Sequence, residues 1–149
     1  MSDVLHLSST LEDYLEAILA LSKVGGDARV RDISARLSVH KSTVTAALKT
    51  LSEKKLVDHE PYGAVVLTDA GRRIASRVAR NHAVVKRFLQ EVLLVDARTA
   101  EDNACRMEHV MDAAVLDRLV AFAEFMRSDA EENTNTLQRF AEHLGICAD

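Results

Sequence analysis

Tryptophan is absent from these 149 residues, proline occurs once, glycine five times and cysteine twice. So little proline and glycine argues against a turn-rich β architecture and favours helices. Two cysteines, Cys105 and Cys147, make no disulfide framework, so both are expected as thiols. No apolar run approaches the ~20 residues that span a bilayer. Residues 1–9 lack the basic and apolar regions of a cleavable leader. The expectation is a cytoplasmic protein with one good core, or two small ones sharing an interface.

What is present is mostly Ala, Leu, Val, Arg and Glu, with 48% hydrophobic residues. The net charge of −4 is unevenly spread. Residues 1–22 carry four acids and no Lys or Arg, while residues 23–80 carry twelve Lys/Arg against six Asp/Glu. Residues 81–149 carry seven Lys/Arg against thirteen acids. A basic segment between acidic flanks suggests a nucleic-acid-facing module attached to something else.

The apolar stripe Leu11, Tyr14, Leu15, Ile18, Leu21 predicts a helix over about Thr10–Lys23, with Ser9 and Glu12 in a capping-box pattern. Gly25-Gly26-Asp27 ends it. A short helix is expected at Val30–Leu37, a turn at Ser38-Val39-His40, and a helix at Lys41–Lys54 with Val44, Leu48 and Leu51 inward. Leu56–His59 and Val65–Leu67, around Pro61-Tyr62-Gly63-Ala64, read as a hairpin. Thr68 or Asp69 caps a long helix, Ala70–Val92, whose inward positions include Ala75, Val78, His82, Val85 and Leu89. Thr99 opens another helix. Two more are expected at Ala113–Arg127 and Glu132–Leu144, closed by Gly145.

Helix, short helix, tight turn, helix and hairpin is the order of a winged helix-turn-helix. The recognition helix needs small hydrogen-bonding side chains at its start so that its backbone can approach the groove. His40, Lys41, Ser42, Thr43 and Thr45 meet that need. Lys49 and the wing residues His59 and Tyr62 are candidates for phosphate or sugar contacts. The expected division is a DNA-binding domain over 1–70 and a helical domain over 71–149.

Cys105-Arg106-Met107-Glu108-His109 places a thiol, a carboxylate and an imidazole at i, i+3 and i+4, on one face if the segment is helical. That donor mixture suits a divalent first-row ion. By itself the triplet more often describes a buried thiol beside two solvated polar groups. Asp13 and Glu16 are i, i+3 on the first helix, where two acids also simply offset the helix dipole. His82 lies in an apolar stripe, as core histidines do.

The run Leu11–Ile18, the turn Leu37–Ser42, the wing Glu60-Pro61-Tyr62-Gly63 leading to Leu67-Thr68, and Cys105–His109 together resemble the diphtheria-toxin-repressor family of metal-dependent transcriptional regulators. The resemblance runs in order from about Ser9 to Arg127. It implies a mainly α fold: a winged helix-turn-helix plus a helical dimerisation domain. The likeness is to the short two-domain branch, so no SH3-like domain is expected. The resemblance also implies a homodimer on a palindromic operator. It nominates Asp13, Cys105, Glu108 and His109 for a primary metal site, and Glu16 and His82 for a second.

Two departures bear on the ion. Manganese-type members carry a carboxylate where Cys105 stands, and iron-type members a thioether where Asp13 stands. Sulfur favours Fe(II), Co(II) or Zn(II), and Asp13 draws the site towards harder ions. Fe(II) is expected first and Mn(II) second, with Co(II) or Zn(II) able to bind in vitro. Long-form members use a histidine and a glutamate for an ancillary ion where this chain has Glu101 and Lys86, and a lysine ammonium cannot ligate. The rival reading is a winged-helix regulator of a small organic ligand. An enzyme is not expected, because no motif joins a nucleophile to its base.

Overall fold

The computed structural model describes residues 7–128 and 130–146, with backbone alone for 130–134. Cys147 and the first six residues lie outside the described residues. Among the described residues, seven helices and one hairpin follow in order: α1 (Ser9–Lys23), α2 (Val30–Leu37), α3 (Lys41–Glu53), β1 (Val57–His59), β2 (Val65–Leu67), α4 (Asp69–Glu91), α5 (Ala97–Met107), α6 (Ala113–Ser128) and α7 (Ala130–His143). The chain divides into two compact units, one reaching Ala79 and the other starting at Arg80, so the boundary falls inside α4. Among the described residues, no helix is long and apolar enough to cross a membrane.

The first unit is built around Leu15, Ile18, Ile33, Val44, Leu48 and Leu51, each fully buried. These are the inward stripes of α1, α2 and α3, one apolar side chain per turn. The N-cap of α1 is Ser8, whose hydroxyl accepts the Leu11 N–H at 3.4 Å. The capping serine is thus one residue earlier than the Ser9 that the sequence pattern suggested. Glu12 is 8% exposed, and its carboxylate accepts from Arg77 on α4 at 2.7 Å. A buried carboxylate needs such a partner.

The turn between α2 and α3 puts Ser38 at φ 54°, left-handed and closing α2. Ser34 Oγ donates to the Val39 carbonyl at 2.6 Å and holds the turn. β1 and β2 pair antiparallel with Val57 opposite Leu67, and Ala28 adds an isolated bridge to Val65. At the wing tip the Gly63 N–H donates to the Glu60 carbonyl at 2.9 Å. Pro61 then occupies the second position of the turn and Tyr62, at φ 63°, the third. A positive φ at the third position normally selects glycine. Here a fully exposed tyrosine carries it, and Gly63 does not.

Thr68 caps α4, its hydroxyl accepting the Gly71 N–H at 3.1 Å and donating to the Lys55 carbonyl at 2.8 Å. The second unit buries Val85, Leu89, Ala100, Ala104 and Leu116. Its α5 begins at Ala97 and not at Thr99, because the Asp96 carboxylate caps it, accepting the Arg98 and Thr99 N–H groups at 3.1 and 3.0 Å. Those bonds, chiefly the one from Thr99, hold the Asp96 carboxyl below its ordinary range.

Candidate metal centre and nucleic-acid interface

In the second unit, α5 ends at Met107, Glu108 is its C-cap with φ −57° and ψ −29°, and His109 lies in the turn beyond. The Glu108 N–H still donates to the Ala104 carbonyl at 3.0 Å, so its backbone continues the helical hydrogen-bond pattern. That carboxylate is buried, with Nδ1 of His82 2.6 Å from Oε2 and Nε2 of His109 3.3 Å from Oε1. His82 reaches it from α4, and Asn81 Nδ2 donates to the Glu108 carbonyl at 3.4 Å. Each oxygen of this buried carboxylate has an imidazole nitrogen beside it, and nitrogen and oxygen donors together suit a divalent transition ion. The residues fit such an ion.

Cys105, three residues earlier, is exposed, so the thiol does not share the burial of Glu108. The helical spacing alone did not foresee that difference. Asp13 and Glu16 belong to the first unit, half-buried on α1.

The DNA-reading candidates all lie in the first unit. His40 is the N-cap of α3, and Lys41, Ser42, Thr43, Thr45 and Lys49 are exposed along it, while Val44 and Leu48 face the core. Between the start of α3 and the wing lies a cleft of about 580 Å³, lined by Lys41 and Thr45 on one side and His59 and Tyr62 on the other. The buried Nε2 of His59 makes no hydrogen bond.

Two family models match the chain. The iron-dependent repressor N-terminal DNA-binding domain covers residues 6–65, and the iron-dependent repressor metal-binding and dimerisation domain covers 68–146. The chain belongs to the iron-dependent repressor family. It is a metal-dependent, DNA-binding transcriptional repressor with a dimerisation domain, and family members are not enzymes. The small-organic-effector reading is not favoured.

An uncharacterised HTH-type transcriptional regulator of Methanocaldococcus jannaschii is 34% identical over 119 residues, covering 79% of this repressor and 95% of that protein. The HTH-type transcriptional regulator MntR of Bacillus subtilis is 29% identical over 136 residues, covering 90% and 95%. A solved manganese-dependent transcriptional repressor in complex with manganese aligns with TM-score 0.71 at 31% identity, over 77% of this chain. The repressor spans about half the length of that structure, 53%.

Two arginines were not singled out in the sequence. Arg29 and Arg31, at the start of α2, line the wing cleft beside Lys41. Their signal was a basic pair inside the basic segment, next to a helix start. Glu101 and Lys86 flank His82: Glu101 Oε1 is 3.1 Å from His82 Nε2, and Oε2 is 2.6 Å from Lys86 Nζ. The hydrogen bond from Lys86, with help from the charge of His82, holds the Glu101 carboxyl below its ordinary range against partial burial.

Proposed function

We propose that this repressor is activated by Fe(II), bound through Asp13, Cys105, Glu108 and His109, with Glu16 and His82 serving a second position. The observation that carries the reading is the buried Glu108 carboxylate between two imidazoles, within the part matched by a metal-binding domain. Bound metal supplies positive charge that neutralises a cluster of carboxylates. Metal binding is then linked to operator binding. The linkage is reciprocal, typically ~1–3 kcal/mol. The proposed target is a palindromic operator bound by a homodimer, with His40, Lys41, Ser42, Thr43, Thr45, Lys49, His59 and Tyr62 at the DNA. The strained, fully exposed Tyr62 supports a wing contact, since such strain concentrates at functional positions. DNA-binding is assigned to residues 1–70, and metal binding and dimerisation to 71–149.

Mn(II) is the second reading. It is favoured by the burial of the oxygen and nitrogen donors while Cys105 is exposed, and by the manganese-dependent relative. Operator binding followed by fluorescence anisotropy under anaerobic conditions separates these readings. Either ion should tighten binding relative to chelator, Fe(II) at the lower free concentration. Glu108→Gln and His109→Ala should each abolish the effect. Equal operator affinity in chelator and in metal overturns the switch.

A further inference from the structure

His82 is held from two sides by carboxylates of one neighbouring helix and its cap. Nδ1 faces Glu108 and Nε2 faces Glu101. Lys86 stands four residues after His82 on α4, so both side chains leave the same face of that helix, one turn apart. They meet the two oxygens of a single carboxylate. Glu101 Oε1 lies 3.1 Å from the His82 ring and Oε2 lies 2.6 Å from the Lys86 ammonium. The carboxylate is thereby fixed in orientation as well as position.

We propose that Lys86 and Glu101 form an orienting pair for His82, which presents Nδ1 to a metal ion while Nε2 keeps its proton. Lys86 and Glu101 are thus positioning residues and not ligands.

The inference rests on the reading of His82 as a ligand. A metal-binding imidazole characteristically passes its second N–H to a carboxylate, which fixes the ring and raises its basicity. Among the described residues, Glu101 supplies the acceptor beside Nε2. The ammonium of Lys86 occupies its other oxygen and holds it in the accepting role. Lys86 is 39% exposed and Glu101 49% exposed, and ion pairs this open add little to stability. The stabilising effect of the pair is therefore small, and its consequence is the orientation of the ring.

The full chain, labelled with ¹⁵N-histidine and loaded with diamagnetic Zn(II), reports which nitrogen of His82 is bound. The signal is assigned by its loss in His82→Asn. The expected pattern is a metallated Nδ1 and a protonated Nε2. Glu101→Ala should lower Zn(II) affinity by about 10-fold or more and shift the Nε2 resonance. Lys86→Met should move both in the same direction by less, and Lys86→Arg should restore them. Thermal melts of the apo variants should stay near the parent's.

If Zn(II) binds and the His82 resonances do not move, His82 is no ligand, and the second-position assignment falls together with this inference. If Nδ1 is metallated but Glu101→Ala changes neither affinity nor the Nε2 shift, the ligand stands and the orienting pair is overturned. Metallation at Nε2 overturns it as well.

Discussion

Gly71 sits where the first turn of α4 crosses the chain leaving α3, and a Cβ built on it lies 1.9 Å from the Leu56 carbonyl oxygen. No rotamer relieves a clash with backbone. Gly71→Ala should therefore destabilise the first unit by about 2 kcal/mol, in the range for overpacked cores. Thermal melting followed by circular dichroism checks it, and an unchanged midpoint would contradict the contact. Nothing in the sequence near Gly71 announces this, because the neighbour that forbids a side chain lies fifteen positions away. Asp96 and Ser8 teach the same lesson at closer range. Both cap helices that the pattern opened at Thr99 and Ser9, because competing Ser, Thr and Asp residues are distinguished only by backbone direction. The metal-binding candidates divide likewise. Glu108 and His109 were legible as donors, yet the burial of Glu108 beside an exposed Cys105 was not, because spacing says which side chains share a face and not what packs against each.

Among the elements, α3 and the wing were legible almost to the residue. Strong stripes specify a helix, and a Pro/Gly cluster between β-branched runs specifies a hairpin. What lay outside the sequence signal was the cleft that joins them, because its walls come from the start of α2, the start of α3 and the wing. Lys41 stands exposed in that wall. If it neutralises one phosphate, Lys41→Ala should weaken operator binding uniformly across sequences. It should also reduce the slope of log affinity against log salt by about 0.9. Titrations at several salt concentrations measure both. A changed sequence preference with an unchanged slope would instead make Lys41 a base reader.

For the whole molecule, α6 carries the signature of an association surface. Val115 is 46% exposed, Phe122 46% and Phe125 59%, and large apolar side chains on one exposed helix mark interaction sites. The family's dimerisation domain covers this helix. Phe125→Asp should shift the protein towards monomers in sedimentation velocity and should weaken operator binding steeply, because two half-sites are no longer engaged together. An intact dimer would move the interface elsewhere. The charge asymmetry read from the sequence is kept at this scale: eleven of the twelve Lys/Arg of the basic segment belong to the unit with the wing, and the second unit carries thirteen acids against eight Lys/Arg.

The chain's two tyrosines could hardly differ more in surroundings. Tyr14 is 3% exposed in the first core and Tyr62 stands fully in solvent at the wing tip. With no tryptophan to dominate the emission, the tyrosine fluorescence arises from these two rings. An aqueous quencher such as iodide reaches one and is barred from the other. The molecule therefore carries a native optical reporter at its outermost loop: the quenchable fraction belongs to Tyr62, and its loss on adding DNA registers the wing meeting the duplex without any attached dye.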